Sequence, residues 1–250
     1  MQNKPFVDRV RFERMSTDEL RQAFLVDELF PPDEVRLVHW EAERTIVGSA
    51  VPASGPLSLE APAEIKAAFF TERRELGVVN VGARGSVTVD GQAYELGPRD
   101  VLYVGRGSRE VVFSSLRAAE PPRGAAGDRP ALFYLVSHPA HASHPTRRVT
   151  TEEAQTARLG SPANATARVL RRHVHVQGAS SCQLVMGVTA TEPGSVWNTM
   201  PPHTHTRRTE IYLYFDLEPG AVAFHFMGPP EGTRHLVVRN RQAVLSPPWS

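Results

Sequence analysis

The chain has 250 residues, and its 28 lysines and arginines nearly balance its 27 aspartates and glutamates. This balance excludes the strong positive field that draws proteins to nucleic acid or to an anionic membrane surface. The expected partners are small molecules and further copies of the chain.

The single cysteine and the N-terminal sequence indicate in which cellular compartment the protein is expected. One thiol, Cys182, cannot form an internal disulfide, and it lies in a stretch that predicts a buried strand. The N-terminus carries scattered charges and lacks the apolar core of a secretion signal. No apolar run approaches the ~18 residues needed to span a bilayer. The sequence therefore predicts a cytoplasmic protein without membrane segments.

The first half predicts one helix followed by strands. Residues 16–30 begin with serine and threonine caps and carry apolar residues at helical spacing. Residues 35–51 alternate and are β-branched, which predicts strands. An antiparallel meander follows, with Asp90 and Gly91 in a tight hairpin. Its predicted strands are 77–81, 86–89, 93–96, 101–104 and 110–113.

The second half also predicts strands, after a polar connector. A loop is predicted at 120–130, and the connector at 138–162 holds at most a short helix near 151–157. The later predicted strands are 168–176, 182–189, 210–215, 222–226 and 235–238. Short strands with close turns favour an all-β fold of barrels or jelly rolls, divided near residue 160.

The stretch PPHTHTRRTEIYLY, residues 201–214, holds the strongest functional motif. His203 and His205 would share one face of a strand, and a turn before Glu210 would bring its carboxylate to them. Two imidazoles and a carboxylate suit Zn, Mn, Fe or Ni. The alternative is that the histidines are loop residues and Glu210 is an exposed strand residue.

Other catalytic schemes have less support in the sequence. It contains no G-x-S-x-G elbow, no phosphate-binding Gly-Lys loop and no dinucleotide fingerprint after a strand. His225 follows the motif by one hairpin, and it is either a neighbour of the metal or a packed core histidine.

The motif and its surroundings resemble a known family. The spacing from the histidines to the glutamate, with Gly194 before and Gly220 after, is similar to the first motif of cupins. The segments ERRELGVVNVG, WNTMPPHTHTRRTEIYLYFDL and AVLSPPWS resemble the 5-keto-4-deoxyuronate isomerase family, also called 4-deoxy-L-threo-5-hexosulose-uronate ketol-isomerase. The resemblance implies tandem cupin domains with a few short helices. Residues 1–160 would form a cupin-like domain without a metal site, and residues 161–250 the metal-binding cupin domain.

The resemblance also implies a metal and a reaction. One Zn²⁺ per subunit would be held by His203, His205 and Glu210, with a further histidine that would lie beyond Ser250, so the C-terminal barrel would be cut short. The implied assembly is a homo-oligomer, a homohexamer in the family. The implied reaction is the metal-dependent isomerisation of 5-keto-4-deoxyuronate to 3-deoxy-D-glycero-2,5-hexodiulosonate in pectin and uronate breakdown, with no nucleic acid and no membrane as partner.

Further residues are predicted to serve this reaction. Glu210 is the predicted catalytic residue, although the base could equally be a metal-bound hydroxide or a neighbouring group. Tyr212 and Tyr214 would share an inward face, where they either contact substrate or pack in the barrel core. Arg234 is the first candidate to bind the substrate carboxylate, ahead of Arg207 and Arg208.

Three alternative functions stay open on the sequence. Another cupin isomerase, acting on a deoxyglucuronate of inositol breakdown, would share the reaction type. The two histidines and glutamate could instead hold iron for dioxygen chemistry, or the chain could bind a sugar without converting it. Metal analysis separates iron from zinc, and a sugar binder would leave the uronate unchanged.

Overall fold

A computed structural model describes residues 1–116, 129–206 and 208–250 of the chain. Strands dominate, which confirms the all-β prediction with a few short helices. The α-helices are α1 (Arg9–Phe12) and α2 (Thr17–Phe24). The strands are β1 (Gln2–Lys4), β2 (Leu25–Val26), β3 (Val35–Trp40), β4 (Thr45–Ala50), β5 (Leu57–Ser58), β6 (Arg74–Asn80), β7 (Gly85–Val89), β8 (Gln92–Leu96), β9 (Val101–Val104), β10 (Val111–Ser115), β11 (Phe133–Pro139), β12 (Arg147–Val149), β13 (Gln155–Leu159), β14 (Arg168–Val174), β15 (Met186–Thr191), β16 (Glu210–Tyr214), β17 (Ala223–Met227), β18 (Arg234–Val238) and β19 (Gln242–Ser246).

The chain divides into two compact units whose boundary differs from the predicted one at residue 160. The first unit comprises Met1 with residues 30–38 and 45–198, and the second comprises residues 2–29, 39–44 and 199–250. The N-terminal helices therefore belong with the C-terminal strands. The reason is burial, because the apolar faces of these helices share one hydrophobic core with those strands.

Two sheets enclose the core of the first unit. One contains the strand order β3–β4–β11–β6–β9–β12, and the other has the order β5–β10–β7–β8. Apolar side chains from both sheets form one buried cluster, which includes Ile46, Leu76, Val87, Phe113 and Phe133. Short antiparallel strands packed in this way match the jelly-roll expectation.

The predicted hairpin at Asp90 and Gly91 is confirmed. It joins β7 to β8, with Val89 opposite Gln92. Both turn residues have positive φ, 48° and 83°. Such a two-residue turn matches the twist of the flanking strands, and glycine tolerates the left-handed conformation without steric cost.

A third sheet of the first unit, β13–β14–β15, corrects one expectation. The sequence allowed a short helix near 151–157, whereas the structure has a turn that leads directly into β13. The five residues of β13 pair antiparallel with β14. Pairing with a neighbouring strand has overridden a local helical preference.

The segment before β15 packs against β6 and corrects a second expectation. A Cβ on Gly77 would lie 2.6 Å from Cδ2 of Leu184, so a larger residue there would have to displace the Leu184 side chain. Cys182, predicted within a buried strand, instead lies half-buried before β15. Its Sγ donates to the carbonyl of Ala142 at 3.1 Å.

The buried carboxylate of Glu75 fastens this segment to β6. Its Oε1 accepts the backbone N–H groups of Gln183 and Leu184, both at 2.7 Å. Its Oε2 accepts the N–H of Cys182 at 2.7 Å and the hydroxyl of Tyr103 at 2.9 Å. Four donors satisfy a carboxylate that water does not reach, as burial requires.

The second unit combines the helices with two small sheets. Helix α2 starts at a capping box, in which Ser16 and Glu19 bind each other's backbone N–H. The predicted helix over 16–30 is therefore real but shorter, because Leu25–Val26 forms β2 and pairs with β19. The sheets have the orders β16–β19–β2 and β17–β18. In the described ranges, every helix is too short or too polar to traverse a bilayer.

Candidate metal and substrate site

His203 and His205 lie in an irregular segment of the second unit, not in the strand that the sequence suggested. Their rings nevertheless lie edge to face, with centroids 5.0 Å apart. The backbone N–H of His205 donates to the carbonyl of Pro248 at 3.2 Å, which ties the segment to the C-terminal residues. The pair is therefore held together by loop geometry instead of strand alternation.

Glu210 is the first residue of β16 and faces His205. Its Oε1 lies 3.1 Å from Nε2 of His205, and both side chains are about one quarter exposed. Nη2 of Arg208 lies 3.0 Å from each of these two atoms. The guanidinium thus supplies positive charge at the point where the imidazole and the carboxylate converge.

The distance between the donor atoms of His205 and Glu210 is close to that between two ligands of one zinc ion. Imidazole nitrogen and carboxylate oxygen bind zinc at about 2.0–2.2 Å in tetrahedral geometry, so two ligands of one ion lie about 3.4 Å apart. The donor atoms of His205 and Glu210, 3.1 Å apart, lie close to this spacing. Nδ1 of His203 faces the carbonyl of Pro201 at 3.0 Å, which leaves its Nε2 for another partner.

The three predicted ligands are only partly assembled. Across residues 1–116, 129–206 and 208–250, no group of three or more His, Cys, Asp or Glu side chains is arranged to hold a metal ion. Two predicted donors, His205 and Glu210, converge, and the exposed ring of His203 lies beside them. The chemistry of the donor set fits a metal, and closing the site requires a reorientation of His203.

Tyr212 contacts Oε2, the second carboxylate oxygen of Glu210. Residues 210, 212 and 214 alternate along β16, so their side chains share one face. The Tyr212 hydroxyl donates to Oε2 of Glu210. Burial first, and then this bond to Glu210, raise the pKa of the Tyr212 phenol far above its ordinary value. Tyr212 is therefore a neutral donor at any physiological pH.

Tyr214 and His225 form a second polar pair beside Tyr212. The hydroxyl of Tyr214 lies 2.8 Å from Nδ1 of His225, and the His225 ring packs edge to face on Tyr212 at 5.1 Å. Burial lowers the pKa of His225 to about 4, although the negative charge of Glu210 opposes this shift. The imidazole is thus neutral at neutral pH. His225 is therefore a packed core histidine beside Tyr212, and its place next to a metal stays a prediction.

Arg234 lies in a different environment from the one predicted. Its Nη1 donates to the carbonyls of Phe12, at 3.0 Å, and Met15, at 2.5 Å, and its guanidinium stacks on the Phe12 ring. These contacts tie β18 to the N-terminal helices. Its role in binding substrate stays a prediction. Arg207, a further candidate in the sequence, lies outside the described residues.

His205 also lines a pocket of about 410 Å³. Its walls include Arg9, Thr204, Pro248 and Trp249. The volume falls within the range of about 300–1,000 Å³ that is typical of ligand sites. Sequence reasoning missed Arg9, because no local motif connects an N-terminal helix to a histidine almost two hundred residues later.

Known proteins resemble this chain along its whole length. A 4-deoxy-L-threo-5-hexosulose-uronate ketol-isomerase of Halalkalibacterium halodurans is 47% identical over 250 residues, which are 100% of this chain and 87% of that protein. The protein of the same name from Formosa agariphila is 48% identical over 238 residues, or 95% of this chain and 82% of that protein.

The fold is similar to that of a solved structure, and the sequence matches one family model. An IolB-like protein from Salmonella typhimurium LT2 has a TM-score of 0.66 at 16% identity, covering 90% of this chain and 84% of that chain. This likeness agrees with the predicted all-β fold. The fold and the named activity of the relatives together suggest a metal cofactor. The profile described as the KduI/IolB family matches residues 29–250. The chain belongs to the KduI/IolB family.

Proposed function

We propose that this chain is an intramolecular oxidoreductase of the aldose–ketose type that converts 4-deoxy-L-threo-5-hexosulose uronate to 3-deoxy-D-glycero-2,5-hexodiulosonate. The relatives that carry this activity in their names are 44–48% identical to the chain. The observation that carries the proposal in the structure is the convergence of His205, Glu210 and Tyr212 at the start of β16. Such an enzyme takes part in the breakdown of pectin and related uronates.

The proposed cofactor is one Zn²⁺ per subunit, with His203, His205 and Glu210 as ligands. The 3.1 Å separation of the His205 and Glu210 donor atoms supports the ion. Once bound, the ion supplies Lewis-acid polarisation of the substrate carbonyl. The side chains that surround it must then bind the substrate and move a proton.

The reaction moves one proton between adjacent carbons. The proton leaves the carbon next to the aldehyde and returns to the former aldehyde carbon, while a hydroxyl proton passes from one oxygen to the other. Glu210 is the proposed catalytic carboxylate, because its side chain is about one quarter exposed at the site. The Tyr214–His225 pair lies beside it and is neutral, so it can donate to a substrate oxygen without adding charge.

The substrate also carries a carboxylate that needs a cation. Arg9 lines the pocket next to His205, and its ion pair with Glu13, at 3.3 Å, joins two exposed side chains. An exposed pair of this kind contributes little and can be exchanged for a ligand. Arg9 is therefore the proposed carboxylate contact in this pocket, and Tyr212, Tyr214 and Arg234 remain predicted substrate contacts.

The decisive experiment measures turnover and metal content together. The chain is incubated with 4-deoxy-L-threo-5-hexosulose uronate, and loss of the aldehyde is followed by proton NMR, with and without a chelator. We expect turnover that the chelator stops. His205→Ala should lose both activity and zinc, whereas His235→Ala, which changes an exposed histidine of β18, should retain both. An active, zinc-free His205→Ala protein would overturn the metal assignment.

A second candidate substrate also has support. The matching family model is described as KduI/IolB, and a structure of similar fold is an IolB-like protein. The alternative is isomerisation of a deoxyglucuronate. The same assay with both substrates separates the two, because the true substrate should show the higher kcat/KM by orders of magnitude. Unchanged levels of both sugars together with measurable sugar binding would favour a non-catalytic cupin.

We further propose a cytoplasmic homo-oligomer, a homohexamer by resemblance to the family. A lone cysteine fits a reducing compartment. Light scattering of the purified chain tests the assembly, and a monomer at micromolar concentration would contradict it.

A further inference from the structure

Glu210 offers two oxygens, and the structure gives them different partners. Oε1 lies at 3.1 Å from Nε2 of His205 and accepts from Arg208. Oε2 accepts the hydroxyl of Tyr212. Tyr212 therefore binds one oxygen of the carboxylate, and His205 and Arg208 contact the other.

Tyr212, which binds Oε2 of Glu210, is itself held by neighbouring residues. Tyr212 lies in the middle of β16, opposite Val244 of β19, so its backbone is anchored by the ladder. Its ring packs edge to face on the buried imidazole of His225 at 5.1 Å. A phenol fixed in this way can restrain the rotation of a neighbouring carboxylate about its last torsion angle.

We propose that Tyr212 is a positioning residue, which binds Oε2 of Glu210 so that Oε1 points to the ion-binding side next to His205. The inference rests on the proposed metal site. Without the Tyr212 hydroxyl, the carboxylate can rotate, and part of the orientation must be restored when the ion binds. Loss of such an outer partner typically reduces metal affinity by about 10–100-fold.

The chain offers a matched control for this inference. Tyr214 lies two residues further along the same face of β16, but its hydroxyl contacts His225 instead of Glu210. Tyr212→Phe and Tyr214→Phe each remove one partly buried phenol hydroxyl from the same strand. Only the first removes a hydrogen bond to a proposed ligand.

The test titrates Zn²⁺ alone into the full chain, in competition with a chromophoric chelator. We expect Tyr212→Phe to weaken zinc binding about 10–100-fold, and Tyr214→Phe to change it by less than about twofold. In a Glu210→Ala background, Tyr212→Phe should have no further effect on zinc affinity, whereas a role independent of Glu210 would leave its effect intact. The comparison also distinguishes a role in orienting Glu210 from a general loss of stability, because only the first role requires Glu210.

Each remaining outcome has a definite meaning. Equal zinc affinity of Tyr212→Phe and the unaltered chain would overturn the positioning role alone and leave the proposed function standing. Failure of the unaltered chain to bind Zn²⁺ would overturn the proposed metal site and this inference together. A Tyr212→Phe chain that the circular dichroism spectrum shows to be unfolded would overturn the inference, because the hydroxyl would then serve the fold.

Discussion

Nε2 of His205 lies 3.1 Å from Oε1 of Glu210, although one residue belongs to an irregular segment and the other begins a strand. This contact is the nucleus of the candidate site. Nη2 of Arg208 contacts both atoms at 3.0 Å.

Arg208 should compete with the metal. Its Nη2 donates to the same carboxylate oxygen and imidazole nitrogen that would bind the ion, so Arg208→Gln should strengthen zinc binding. Because an exposed pair contributes up to about 1 kcal/mol, the gain should be up to about fivefold. Chelator competition measures it, with Arg239→Gln, an exposed arginine beyond β18, as the control. Weaker binding in Arg208→Gln would show that Arg208 assists the ion.

Arg9 should govern substrate affinity. Arg9→Gln removes the cation from the pocket wall, and loss of a charged hydrogen bond of about 1.5–3 kcal/mol should raise KM by tenfold or more. The value of kcat should stay within about twofold, because Arg9 is not part of the ligand set. Arg14→Gln, a nearby exposed change, should leave KM unaltered. An unchanged KM in Arg9→Gln would remove Arg9 from the site.

His225 should make stability depend on pH. Its pKa falls from 6.5 in the unfolded chain to about 4 in the folded chain, because burial disfavours the charged imidazole. The unfolded state therefore binds the proton first, and the free energy of unfolding should decrease as the pH falls from 6.5 to 4. The full effect is roughly 3 kcal/mol. Urea unfolding at pH 7 and 5 should show a smaller decrease for His225→Gln than for the exposed control His235→Gln.

Glu75 should stabilise the first unit. Glu75→Gln places an amide NH₂ group against three backbone N–H groups and the Tyr103 hydroxyl, so at least one donor loses its acceptor. We expect a loss of about 3 kcal/mol in the free energy of unfolding. Glu110→Gln, on the surface, should cost less than about 0.5 kcal/mol. Equal unfolding midpoints for the two variants would contradict the role assigned to Glu75.

Local patterns were enough to predict most of the strands. β9 has the predicted bounds, and β16 differs from its prediction by a single residue at its end, because β-branched and aromatic runs bounded by turns are local signals. The Asp90–Gly91 hairpin was predictable for the same reason. The spacing of His203, His205 and Glu210 predicted a common site, and the structure brings His205 and Glu210 into contact, whereas the place of His203 as a ligand stays a prediction.

The sequence by itself determined the all-β class, the family and the residues of the motif, because these depend on residues close together in the chain. Only the tertiary structure decided that the N-terminal helices join the C-terminal strands, and that Arg234 binds the carbonyls of Phe12 and Met15. It also decided that Tyr212 binds Glu210 and that Arg9 reaches the pocket of His205. Packing of apolar faces brings these groups together, and the partner of a face has no local signature in the sequence.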